Sequence, residues 1–72
     1  MIQALLFYKN KWSLKAVKNY CKINHIKYIS YRITTNYYRM RLINPTYRKY
    51  IYRIERNYKD NPNIDYIIQL LK

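Results

Sequence analysis

The chain has 72 residues, a length that fits one small domain, 1–72, with a thin core. Its single cysteine, Cys21, excludes an internal disulfide, and with only His25 beside it no zinc site is expected. Fifteen basic residues against three acidic ones give a net charge of +12, which points to a polyanionic partner, nucleic acid or an anionic membrane.

Composition tempers that inference. The chain holds 11 Ile, 9 Lys, 8 Asn and 11 Tyr and has no glycine. Codons for these four residues are rich in A and T, so an AT-rich genome alone would raise Lys and Tyr. Asp and Glu codons tolerate A and T, so the same bias does not explain the scarcity of acids. Nor does it explain where the charges sit. A lone thiol fits a reducing, intracellular compartment. Met1–Phe7 lacks the basic start and long apolar region of a signal peptide. No stretch approaches the roughly 20 apolar residues that span a bilayer.

In chain order, "IQALLF" is a short apolar run that predicts a buried first strand. "WSLKAVKNYCKINH" predicts a helix. Ser13 is its N-cap, because a hydroxyl can accept from first-turn amides, and Trp12 is placed to pack on Val17. Leu14, Val17 and Cys21 fall on one side, flanked by Tyr20; Lys15, Lys18 and Lys22 repeat on the other. Asn24 is the expected stop.

"YISYRITTNYYRMRL" predicts a β-hairpin. Alternation places Ile29, Tyr31 and Ile33 on one face of the first arm, with Tyr28, Ser30 and Arg32 on the other. Pairing Ile33 with Tyr38 sets Tyr31 against Met40 and Ile29 against Leu42, so all six form one apolar face for packing. A slip by one residue would put arginines among isoleucines, so the sequence specifies this register. The connection centres on Thr35-Asn36, with Asn36 the expected left-handed residue in a chain without glycine. The outer face then carries Tyr28, Arg32, Tyr37, Arg39 and Arg41.

Asn44-Pro45 ends the hairpin. Residues 46–58 are ambiguous: Tyr47, Tyr50 or Ile51, and Ile54 fit a helix, whereas Tyr50, Tyr52 and Ile54 fit a strand. β-Branched and aromatic content favours a short turn and then a strand from about Tyr50 to Arg56. "KDNPN" reads as a loop, and "IDYIIQLLK" as a last strand with Ile64, Tyr66, Ile68 and Leu70 on one face. The expected fold is α+β: one helix packed on a small, mainly antiparallel sheet of four to five strands. An edge strand left open could seed a homodimer.

Two patches resemble a family of small domains encoded by phages and large DNA viruses. In those domains a Lys-Trp-Ser/Thr start leads a short helix with an early alanine, matched here by Lys11, Trp12, Ser13 and Ala16. Their second patch, an aromatic-x-Arg strand closed by Asp/Asn-Pro, is matched by Tyr38, Arg39, Arg41, Asn44 and Pro45. The likeness would span most of the chain. This sequence departs from it at Tyr20-Cys21, where a Trp-Leu-like pair is typical, and in the glycine-free last segment. The resemblance implies a viral protein of α+β fold, acting in the infected cell or the virion. It implies no catalytic residue.

The residues themselves suggest no catalysis. Asp60 and Asp65 flank a proline loop and read as turn and solvation residues. Glu55 lies between Arg53 and Arg56 and reads as a local charge moderator. His25 stands alone at the helix end, and Cys21 sits on the apolar helix face. A chain without glycine offers no glycine-rich phosphate loop, so no cofactor is expected. The binding candidates are Arg32, Arg39 and Arg41 with Tyr28 and Tyr37 on one surface, and Lys15, Lys18 and Lys22 on another. Arginine suits phosphate and stacks on aromatic rings, and interleaved aromatics and basics on a sheet commonly hold single strands. DNA or RNA is the expected partner. The alternative is a minor virion or protein-interaction component that buries its Tyr/Arg-rich face on a partner. Membrane adsorption is the weaker option, since the helix is short and only moderately apolar.

Overall fold

The computed structural model describes residues 1–44 and 50–71. In chain order these form β1 (Ile2–Tyr8), α1 (Leu14–Ile23), β2 (Ser30–Ile33), β3 (Tyr37–Arg41), β4 (Tyr50–Glu55), a 3-10 turn (Tyr58–Asp60) and β5 (Ile64–Leu71). The five strands make one antiparallel sheet in the order β2-β3-β1-β5-β4. This is the expected α+β fold. No helix among the described residues is long and apolar enough to cross a membrane.

The continuous apolar run of β1 has its reason in this order. As the middle strand it is buried on both faces, so its residues need not alternate with polar ones. Leu5 and Phe7 join Val17, Cys21, Met40 and Ile64 in the core between sheet and helix. Ala4 and Leu6 are buried on the opposite face.

Helix α1 begins where Ser13 Oγ accepts from the Ala16 amide at 3.1 Å. Trp12 packs against the core, its ring edge-to-face with Phe7 at 5.1 Å and Tyr20 at 5.4 Å, and its Nε1 donates to the Asn63 carbonyl. Asn24 is the C-cap, donating from Nδ2 to the Tyr20 carbonyl. The left-handed residue that turns the chain is the next one, His25, at φ 56°. Its amide donates to Lys22 and that of Ile26 to Cys21, the paired bonds of a Schellman cap. Histidine occupies the position usually given to glycine, which this chain lacks.

The hairpin adopts the expected register: Ile33 opposes Tyr38 and Tyr31 opposes Met40. Two expectations fail here. Asn36 does not have positive φ. The turn is closed instead by Thr34, whose amide donates to the Tyr37 carbonyl and whose hydroxyl both accepts the Tyr37 amide and donates to that same carbonyl. The second failure is burial. Met40 is buried and Tyr38 and Leu42 pack against the core, but Ile29, Tyr31 and Ile33 remain 56%, 43% and 54% exposed. The helix packs over β3, β1 and β5, and α1 meets β2 through Lys18, whose Nζ lies 4.7 Å from the Tyr31 ring centre.

Residues 50–55 are a strand, paired with β5 from Tyr50–Leu71 to Glu55–Tyr66. The turn expected at Pro45 and over 46–49, including Tyr47, lies outside the described residues. Glu55 meets Arg53 at 3.0 Å on the exposed strand, as its position suggested. The 57–63 loop takes three left-handed residues, Asn57, Lys59 and Asp60, and Asn61 Oδ1 accepts the Asn63 amide.

Candidate nucleic-acid interface

No helix or strand among the described residues lies on the face of the sheet opposite α1. Register defines what that open face carries. Ser30 and Arg32 come from β2; Tyr37, Arg39 and Arg41 from β3; Ala4, Leu6 and Tyr8 from β1; Asp65, Ile67 and Gln69 from β5; Tyr50, Tyr52 and Ile54 from β4. The centre of the face is buried and includes a polar row, Gln3, Asp65 and Gln69.

The arginines gather at the β2 side. Arg32 and Arg39 are direct cross-strand partners, and Arg41 opposes Ser30. With Ser30 and Tyr31 they line a cleft of about 210 Å³. Arg39 donates at 3.4 Å to Gln3 Oε1, and its buried Nε makes no hydrogen bond among the described residues. Among the described residues, no carboxyl group forms an ion pair with any of the three.

The acid nearest in the sheet is otherwise engaged. Asp65 is 3% exposed, and its Oδ2 accepts from the Tyr8 hydroxyl at 3.0 Å and the Tyr37 hydroxyl at 3.3 Å. Asp65 is therefore not the turn and solvation residue the sequence suggested: β5 begins one residue earlier and turns its side chain under two tyrosines. The hydrogen bond to Asp65, followed by burial, holds the Tyr8 hydroxyl above the ordinary tyrosine range. Burial first, then the Asp65 charge, does the same for Tyr37. The Arg56 charge pulls both the other way.

Of the candidate residues, Arg32, Tyr37, Arg39 and Arg41 thus share one face. Tyr28 does not join them. It precedes β2, packs against the core on the helix side and sets its ring 6.5 Å from that of Tyr31. The alternation that placed it outward does not extend beyond the paired residues. Lys15, Lys18 and Lys22 lie together on the outer surface of α1 with Ala16 and Asn19, across the sheet from the arginines. The two basic surfaces approach each other at the β2 edge, where Tyr31 carries Lys18 on one face and Arg32 points to the other.

Sequence reasoning missed Tyr8, Gln3, Asp65 and Gln69. Parity could have found three of them: Tyr8, Asp65 and Gln69 fall out of phase with the core residues of their own strands, on strands that the topology makes central. Gln3 shares the parity of Leu5 and Phe7, and the register shift between Ile2 and Ala4 brings it to the arginine face, where it meets Arg39. Gln69 accepts from the Tyr52 hydroxyl at 3.0 Å, and Gln3 Nε2 donates to the Ile43 carbonyl. Cys21 is buried and burial raises its thiol pKa, so it packs as a small apolar side chain. Among the described residues no cluster of three or more His, Cys, Asp or Glu is arranged to hold a metal.

Comparison of the chain with family models, with curated proteins and with solved structures found no match.

Proposed function

We propose that the protein binds nucleic acid through the arginine-bearing face of its sheet, mainly by phosphate contacts and without catalysis. The observation that carries this reading is the Arg32–Arg39 pair with Arg41 beside it. Like charges directly opposed on a sheet destabilise it. A fold that keeps three such groups on one open face, with no carboxyl counter-charge among the described residues, gains most from a polyanion that supplies it. Tyr37 and Tyr52 on the same face add aromatic surface for bases. The α1 lysines act from the far side of the sheet as a general attractive field. In this reading the protein is virus-encoded and acts in the infected cell or the virion, as the resemblance of its Lys11–Ala16 and Tyr38–Pro45 motifs implies.

Fluorescence polarisation with labelled oligonucleotides of several sequences tests it. Three phosphate contacts to a single strand predict a slope of log affinity against log salt of roughly −2. The double variant Arg39→Ala, Arg41→Ala weakens binding about equally for all sequences and makes the slope shallower by about one to two. Absence of binding at low salt, with the circular dichroism spectrum intact, overturns the proposal.

A second reading, a protein-interaction or minor virion component, is favoured by the exposed Ile29, Tyr31 and Ile33 row on the β2 edge. A stable complex that survives high salt in size-exclusion chromatography would favour it over the first.

A further inference from the structure

The open face has a second feature, at the opposite end of β3 from Arg41. Tyr8, Lys9, Asn10, Thr35, Asn36 and Tyr37 enclose a cleft of about 360 Å³ between the end of β1 and the β2–β3 turn. We infer that this cleft takes one unstacked nucleobase, so that the ligand of the arginine face is a single strand. The inference rests on the nucleic-acid reading above and narrows it.

The walls suit a flat, polar-edged ring. Tyr8 and Tyr37 are direct partners on adjacent strands, with ring centres 5.4 Å apart and planes at 65°. Both hydroxyls are tied to Asp65, which fixes the rings before any ligand arrives. Rings held in advance lose little freedom on binding, which favours affinity. Around them, Asn10, Thr35 and Asn36 have side chains that make no hydrogen bond among the described residues. Asparagine offers both donors and an acceptor, the combination that base edges require. The Lys9 amide donates to Asn36 O and its Nζ to Thr34 O at 3.2 Å, so the turn and the end of β1 hold each other in place.

Alignment with the arginines makes this one site. Tyr37, Arg39 and Arg41 alternate on the same face of β3, and the rise of a strand sets Tyr37 about 14 Å from Arg41. An extended strand can lay phosphates on the arginines and turn a base into the cleft. A duplex keeps its bases stacked inside and cannot. A simple anion would use the arginines and leave the tyrosine cleft empty.

Polarisation with three probes of equal length decides the matter: a single-stranded oligonucleotide, its abasic deoxyribose-phosphate counterpart and the duplex. The base-bearing single strand is expected to bind about tenfold or more tighter than the abasic strand, and tighter than the duplex. Tyr37→Leu lowers its affinity towards that of the abasic strand. Because Tyr37 also contacts Asp65, the exposed double variant Asn10→Ala, Asn36→Ala serves as the second test and shifts affinity in the same direction. Equal binding of base-bearing and abasic strands, or duplex binding as tight as single strand, overturns the base cleft and leaves the arginine interface standing. Failure of all three probes at low salt overturns both.

Discussion

Asp65 shows how one residue couples the stability of the sheet to its open face. A carboxyl group this buried is costly unless its oxygens are satisfied, and Tyr8 and Tyr37 satisfy one of them. The other, Oδ1, has no hydrogen-bond partner among the described residues. Asp65→Ala leaves both tyrosine hydroxyls without their acceptor and is expected to cost about 1–3 kcal/mol in urea unfolding. The pH dependence follows from the tyrosines. Both hold their protons more tightly in the folded chain than in the unfolded one. Their contribution to stability is complete below the ordinary tyrosine value of about 10 and is lost as pH rises through the higher folded values. Asp65→Asn keeps an acceptor but removes the charge, so stability is expected to fall less steeply above about pH 10 than in the parent chain. An identical alkaline profile in the two proteins would show that Asp65 does not set the tyrosine protons.

At the scale of the element, the β2–β3 turn depends on a hydroxyl. Thr34 Oγ1 takes the Tyr37 amide at 3.1 Å, in a chain that has no glycine to supply a left-handed turn. Thr34→Val removes that acceptor at nearly constant shape. It is expected to lower stability by about 1 kcal/mol, measured by denaturant unfolding, while Thr35→Val leaves it within about 0.5 kcal/mol. The register this turn serves was legible from parity alone, because a slip would exchange Ile33 and Tyr31 for arginine. The Ser13 cap and the strand nature of 50–55 were legible too, from local chemistry and β-propensity. Tertiary consequences were not. The exposure of Ile29 and Ile33 depends on how far across the sheet one helix reaches, and nothing in β2 encodes that. Asp65 looked like a turn residue because its neighbours Asn61, Pro62 and Asn63 are loop residues. Its true setting appears only when β5 is placed beside β1: Leu6 comes opposite, and Tyr8, two residues further along the same face, reaches the carboxylate. Of the candidate site, the Arg32–Arg39–Arg41 grouping was readable from alternation, whereas the Tyr8–Tyr37 cleft needed a third strand.

For the whole molecule, charge acts on folding and binding in opposite senses. Fifteen cations and three acids share a domain with a radius of gyration of 11.9 Å, and Glu55 and Asp65 each already serve a local partner. Few of those cations lie more than a Debye length from another at low salt, so the folded state carries self-repulsion that the expanded chain relieves. Added sodium chloride should therefore raise the thermal midpoint by several degrees before levelling off, as screening removes the repulsion. The same salt should lower affinity for an oligonucleotide, because the counterions released on binding are then present in excess. Opposite slopes in one buffer series separate the two effects: loss of binding at high salt cannot be loss of fold if the melting temperature is rising. A bound strand should mimic salt at far lower concentration, raising the midpoint through mass action and through local neutralisation of Arg32, Arg39 and Arg41. Arg39→Ala with Arg41→Ala tests this link in thermal melts. At low salt without ligand, relief of cation repulsion should offset the loss of the Arg39–Gln3 hydrogen bond, leaving the variant within about 1 kcal/mol of the parent. With oligonucleotide, its midpoint should rise less. A variant destabilised well beyond that at low salt would mean that these arginines hold the sheet together and do not await a ligand.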